Sequence, residues 1–216
     1  MGVRMKPYHK IHTVFKRNPR TNYKTLLEGY YYSPVFEYLA DNHWLFTEKI
    51  NGFNTRITFN GVSIVIAGRT NKDQLPEKTI TALNDLFQPK LKEFKKLFKD
   101  GVCLYGETYG AKTTKGSGNY RSDQGFVLFD ILIGQWWLKH VNILDVSKQL
   151  NIDIAPIIGE GTLSDMVEMA RKGFNSTWGD FQAEGIVARP EIRLQGAGGK
   201  RIITKIKCKD FPKEPA

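Results

Sequence analysis

The stretch Glu48-Lys49-Ile50-Asn51-Gly52-Phe53-Asn54 decides the reading of this chain. Trp44 to Lys49 alternates apolar and polar residues as a half-buried strand does, and Phe53 to Phe59 resumes the strand pattern after Gly52. A lysine at the end of a strand, just before a glycine that can turn the backbone, has its amine at the lip of a pocket. Such an amine is a covalent nucleophile once it is neutral, and neighbouring cations favour the neutral form. Taken alone the stretch is more simply read as a surface lysine beside a hairpin glycine.

Outward from this stretch, strand and helix patterns alternate irregularly. Asn60-Gly61 marks a hairpin into Val62 to Ala67. On the N-terminal side, Tyr8 to Arg17 reads as a basic strand or arm and Ser33 to Asp41 as a short helix. Thr79 to Lys99 has helical spacing that Pro89 breaks. Val102 to Tyr105 and Gly125 to Ile133 are apolar strands, joined by a loop, Gly110 to Gln124, that reads as mobile. Helices are expected over Asp145 to Leu150 and, capped by Ser164, over Ser164 to Gly173. Two last strands, Ala183 to Arg189 and Arg201 to Lys209, flank a glycine-rich loop with Gly196, Gly198 and Gly199. Hairpin strands with segregated helices predict an α+β fold, with antiparallel sheets flanked by helices.

The length of 216 residues suits one domain with a sizeable core: an N-terminal arm and helix, 1–43, packed on a core, 44–211. With 41% hydrophobic and 25% charged residues, the composition is that of a globular protein. No apolar run is long enough to span a bilayer, and the basic segment Met1 to Arg20 lacks the apolar centre of a signal peptide. Cys103 and Cys208 stand far apart, which speaks against a zinc site or a disulfide framework and for a reducing, cytoplasmic setting. A net charge of +10 points to a polyanionic partner, nucleic acid first.

Further candidates for chemistry are spread along the chain. Glu107 follows the strand Leu104-Tyr105-Gly106, and Glu184 precedes Gly185-Ile186-Val187. A glycine beside each carboxylate lets a ligand approach the backbone, and the two carboxylates suit Mg²⁺ with phosphates completing its shell. Lys205, Lys207 and Lys209 alternate, so on one strand they share a face, and an anion between them would relieve their repulsion. Arg69, in Gly68-Arg69-Thr70, offers a planar fork to phosphate.

Each of these features is weak alone, but their order is specific. The chain runs through Lys49-Ile50-Asn51-Gly52, Gly68-Arg69-Thr70, Tyr105-Gly106-Glu107, Phe126-Val127-Leu128-Phe129-Asp130-Ile131, Glu184-Gly185-Ile186-Val187 and Lys207-Cys208-Lys209. This series resembles the covalent nucleotidyltransferase superfamily of DNA ligases, RNA ligases and mRNA capping enzymes, from Trp44 to Phe211. Within it the chain looks most like the RNA ligase 2 group, through Glu48-Lys49-Ile50-x-Gly52-x-Asn54, the Phe-x-x-Phe-Asp-Ile run and the closing Lys-Cys-Lys. Asn51 departs from the aspartate usual in DNA ligases and from the histidine usual in RNA ligase 2 enzymes. Lys10 to Arg17 is similar to the opening of short, stand-alone phage and bacterial RNA ligases.

The resemblance implies an ATP-dependent RNA ligase using Mg²⁺ or Mn²⁺, with DNA ligation as the rival. A capping-type guanylyltransferase and an inactive nucleic-acid-binding derivative are further alternatives. It implies Lys49 as the adenylated nucleophile, with Lys207 and Lys209 as catalytic cations that also contact ATP. Arg69 would hold a phosphate or the ribose edge, Asn54 the α-phosphate region, and Glu48 or its backbone the adenine. Glu107 would bind the ribose or metal, and Glu184 the metal. Phe129 would stack on adenine, with Phe126 as the alternative, the two lying on opposite strand faces. Lys112, Lys115, Tyr120 and Arg121, and separately Lys200 and Arg201, are candidate contacts to a nucleic-acid strand. The sequence closes at Ala216 without the OB domain of DNA ligases, so this domain, or a partner protein, is expected to grip the substrate.

Overall fold

The computed structural model describes residues 6–196 and 199–211. Gly198 and the first residues of the basic N-terminus lie outside the described residues. In chain order, β1 is His12–Thr13, β2 Phe15–Arg17, β3 Leu26–Tyr31, α1 Pro34–Tyr38, β4 Trp44–Glu48, β5 Gly52–Phe59 and β6 Ile64–Gly68. Then come α2 Glu77–Phe87, α3 Leu91–Leu97, β7 Val102–Gly110, β8 Gln124–Ile133, β9 Trp136–Trp137 and α4 His140–Leu150. The chain closes with β10 Asp153–Ile154, β11 Ile157–Gly161, α5 Leu163–Lys172, β12 Gly185–Pro190 and β13 Thr204–Lys207. The fold class is α+β, as the patterning predicts. Most pairings are antiparallel; the short contacts of β1 with β13 and of β10 with β8 are parallel.

The chain forms two compact units, one of residues 1–9 and 51–155, the other of 10–50 and 156–216. In the first, β10-β8-β7-β5-β6 form a sheet, with β9 paired to β8. One face of that sheet packs on α2, α3 and α4 through Ile57, Phe59, Leu83, Phe87, Phe94, Leu104, Phe126, Leu128 and Ile131. In the second, β1-β13-β12-β4-β11 form a sheet and β2-β3 a separate ribbon. Its core gathers Trp44, Phe46, Ile186, Ala188 and Ile206 from the sheet with Leu163, Met166, Val167 and Ala170 from α5.

Several boundaries differ from the sequence reading for local reasons. α5 is capped by Thr162, not Ser164: Thr162 Oγ1 accepts from the amide of Asp165, and the Asp165 carboxylate accepts from the amide of Thr162. Pro89 ends α2 as expected, in a 3-10 turn before α3. The loop from Gly110 to Gln124, read as mobile, is tied down by hydrogen bonds. Ser117 Oγ accepts from the Gly110 amide at 2.9 Å and donates to the Asn51 carbonyl at 2.6 Å. No helix among the described residues is long and apolar enough to cross a membrane.

Trp44 fixes the start of β4. Its ring is fully buried and its indole N–H donates to the Leu39 carbonyl at 2.8 Å. Trp44→Ala is expected to cost about 3–5 kcal/mol in urea unfolding, since a large cavity and an unpaired carbonyl result; a loss below about 1 kcal/mol would contradict this packing.

Candidate functional site

The second unit holds a compact charged cluster. β4 ends at Glu48, and the next amide, of Lys49, donates to the Gly185 carbonyl at 2.9 Å, so Lys49 leaves the sheet beside the start of β12. Glu184 stands just before that strand. Its Oε2 accepts from Lys49 Nζ and its Oε1 from Lys207 Nζ, the latter at 2.6 Å. The three side chains are 17%, 13% and 25% exposed for Lys49, Glu184 and Lys207, enough to meet a ligand and too little for water to screen them fully. Burial alone would raise the Glu184 carboxyl. The Lys49 charge and the hydrogen bonds from both lysines outweigh it and hold the group below its usual value.

Gly185 makes this cluster possible. A Cβ there would lie 2.2 Å from the Ile206 carbonyl oxygen, so only glycine lets β12 sit this close to β13, with Gly185 in register with Lys207. Gly106, beside Glu107, likewise serves packing: a Cβ would lie 2.2 Å from the Phe126 ring. Both glycines admit protein rather than the ligand expected from sequence.

Glu48 has its carboxylate fully engaged. It is 2% exposed and accepts from Ser176 Oγ at 2.6 Å and from the amide and hydroxyl of Thr177, both at 2.9 Å. The side chain therefore anchors the 176–178 turn and is not a route to adenine, and the Glu48 amide is also engaged, donating to the Pro156 carbonyl at 3.0 Å. The three alternating lysines do not share one strand. β13 ends at Lys207, and Cys208–Asp210 form a 3-10 turn, because Asp210 accepts from the Lys207 amide at 3.1 Å and pairs with Arg17 at 2.8 Å. Lys209 is exposed on that turn, while Lys205 and Lys207 keep the alternation.

In the first unit, the sheet face opposite the helices carries the remaining candidates. Asn54 on β5 stands directly across from Glu107 on β7, and Arg56 across from Tyr105. A bulge places Phe129 as the extra residue between Leu128 and Asp130, where it meets the edge of Tyr8 at 5.2 Å. Phe126 is 2% exposed, edge-on to Phe87 in the core. Of the two phenylalanines, only Phe129 keeps accessible surface. Arg69 follows β6, half-buried, and its carbonyl accepts from the Tyr8 amide at 3.1 Å.

Some contributors had no clear signal in the sequence. Arg56 is fully buried; its Nε donates to the Gly68 carbonyl at 2.6 Å and its Nη2 to Asn71 at 2.9 Å, which fixes the turn bearing Arg69. Its place two residues after Asn54 on one strand face was the available hint. Tyr8 Oη donates to Asp130 at 2.5 Å across 122 residues, a contact no local pattern announces. Asn51 donates to the Lys115 carbonyl at 2.8 Å and accepts from Thr114 Oγ1 at 3.0 Å. That pairing needs a donor and an acceptor on one side chain, which an ionised aspartate lacks and a neutral histidine has. Of the residues expected to contact a strand there, Tyr120 is 8% exposed and edge-on to Tyr109, and Arg121 pairs with Asp123.

A divalent ion finds no ready cage of side chains. Among the described residues no group of three His, Cys, Asp or Glu side chains forms one, and both Glu184 oxygens already accept from ammonium groups. This donor set fits a hydrated ion with other ligands, such as phosphate, completing the shell.

Comparison with known proteins adds a family and a fold. A family model described as RNA ligase matches residues 42–207. No curated protein matches the chain. Among solved structures, Naegleria gruberi RNA ligase with PPi superposes with a TM-score of 0.67 at 18% identity, covering 95% of this chain and 57% of that one. A mutant of the same ligase with ATP and Mn gives 0.66 at 18% identity, with the same coverages. An apo mutant gives 0.64 at 18%, covering 97% and 59%. The chain thus spans a little over half the length of these proteins, and at this identity the likeness is one of fold.

Glu184 predicts a pH signature. Because its folded-state carboxyl lies below the ordinary value, the cluster's stabilisation is complete above the ordinary glutamate range and is lost as pH falls from there through the lowered folded-state value. Glu184→Gln should therefore be less stable than wild type by about 2 kcal/mol near neutrality, a gap that closes in acid. Thermal melts of both proteins across this range check it; a gap independent of pH would contradict the ion pairs.

Proposed function

The chain belongs to the RNA ligase family, and from that premise we propose that it is an ATP-dependent ligase that joins 5′-phosphate and 3′-hydroxyl ends of RNA through an adenylate on Lys49. The observation that carries this reading is the Lys49–Glu184–Lys207 cluster: a lysine at a strand end, part-buried and held by a carboxylate shared with a second lysine. The family match supports the class of reaction. The Naegleria gruberi RNA ligase structures that hold ATP and Mn support the choice of nucleotide and of a divalent ion, Mg²⁺ or Mn²⁺.

In the first step the neutral Lys49 amine attacks the α-phosphorus of ATP. A P–N bond forms, the bond to the β-phosphate oxygen breaks, pyrophosphate leaves and the amine gives up a proton. Lys49 enters the reaction as a charged partner of Glu184, so it must lose that proton and one of its hydrogen bonds before attack. Lys207 stays on the other carboxylate oxygen and keeps Glu184 in place while Lys49 moves. Lys207 also supplies positive charge beside the departing pyrophosphate. Lys209, exposed on the next turn, reaches phosphate from solvent.

Then a 5′-phosphate oxygen attacks the same phosphorus, the P–N bond breaks, and Lys49 takes back from water the two protons it gave up, regaining its charge and its place on Glu184. Finally the 3′-hydroxyl attacks the 5′-phosphorus and AMP leaves. Covalent catalysis of this kind divides one difficult displacement into easier ones.

We assign Asn54 and Arg69 to phosphate, Phe129 to the adenine face, and Glu107 to the ribose hydroxyls or the ion. The Glu48 backbone is assigned to adenine, its carboxylate being committed to Ser176 and Thr177. Glu184, through water, and Glu107 are each assigned as candidate ligands for a divalent ion, which when bound would neutralise charge developing on the leaving pyrophosphate.

The test is end-joining with ATP. Wild type should seal RNA ends, Lys49→Ala should seal none, and Lys207→Ala should be slower by about 10²–10³-fold. Sealing of DNA 3′-ends but not RNA 3′-ends would move the assignment to a DNA ligase. Undiminished sealing by Lys49→Ala would overturn the mechanism.

A further inference from the structure

An aromatic face on the second unit takes no part in the nucleotide chemistry. β2 and β3 form a two-stranded ribbon in which Phe15 and Tyr31 turn inward together, their rings 5.2 Å apart. The ribbon is bulged between Phe15 and Arg17, and Lys16, Tyr30 and Tyr32 are exposed on it. Tyr30 is 66% exposed and Tyr32 43%. The Tyr32 ring lies flat on His12, with centroids 4.0 Å apart and planes at 13°. Lys10, Lys205 and Lys200 are close enough to act electrostatically on His12; burial first, then these charges, depress its imidazole pKa, so the ring is neutral at neutral pH.

Water-exposed rings among lysines fit few partners. A protein-docking surface gathers apolar residues and sheds charge, lysine above all, at its centre. A polynucleotide offers what this face lacks: flat bases for the rings and phosphates for the lysines. We infer that His12, Tyr30 and Tyr32, ringed by Lys10, Lys16, Lys200 and Lys205, form a stacking platform for a single-stranded polynucleotide. The inference rests on the ligase reading for its biological sense and adds to it the place where this chain grips a strand. Stacking and phosphate contacts carry no sugar readout, so RNA and DNA strands should use the platform alike. Discrimination between them lies elsewhere.

The experiment is fluorescence anisotropy with labelled single-stranded RNA and DNA oligonucleotides of one sequence. The Tyr30→Ala/Tyr32→Ala double variant is compared with wild type, and both are also checked by mass for adenylation with ATP. The double variant should bind both strands about tenfold or more weakly and still form the adenylate, which also reports that it is folded. Lys10→Ala/Lys16→Ala should lower the slope of log affinity against log salt by about one to two. Undiminished strand binding by the tyrosine variant would overturn the platform and leave the face to a protein partner. If wild type forms no adenylate, the ligase reading fails by itself, while anisotropy still decides the platform.

Discussion

Glu184 accepts from two lysines, and the three residues come from three separate stretches of chain. Its Oε2 meets Lys49 at the end of β4, its Oε1 meets Lys207 at the end of β13, and it stands at the head of β12, which pairs with both strands. Two ammonium groups this close repel each other, and neither is exposed enough for water to screen it well. The carboxylate between them makes the arrangement tolerable. The strand order β13-β12-β4 brings the ends that carry the three residues level.

Packing around the cluster serves the same geometry. Gly185 gives up its side chain so that β12 can lie against β13. Below the sheet, Ile186, Ala188 and Ile206 alternate into the core with Trp44 and Phe46, which keeps the charged ends of the strands in step. Glu48 turns inward to bond Ser176 and Thr177, while its neighbour Lys49 turns to Glu184. In the other unit, buried Arg56 and Tyr8 play a comparable part for the turn bearing Arg69 and for the strand bearing Phe129.

The fold class, most strands, the break at Pro89 and the family were legible in the sequence, because each depends on local pattern or on the order of motifs. What escaped depends on contacts between distant residues or on small irregularities. The Lys49–Glu184 pairing spans 135 residues, and no spacing rule reaches so far. The bulge at Phe129 decides which phenylalanine stays accessible, and alternation alone gives no sign of it. Asp210 ends β13 through Arg17 and the Lys207 amide, which removes Lys209 from the row of lysines the sequence pattern implies. The loop after Gly110 looks mobile from its composition, yet Asn51 and Ser117 bind it, through a donor and an acceptor on Asn51 that an aspartate could not both supply.

The central claim is that Lys49 is the residue that becomes covalently bonded to AMP. The most direct measurement is peptide mapping by mass spectrometry of wild-type protein incubated with ATP and Mg²⁺, after pyrophosphate treatment to strip any AMP already carried. The account predicts one AMP per chain, confined to the peptide containing Lys49 and removed again by pyrophosphate. An adduct on Lys207 or Lys209 instead, or none at all, would contradict it.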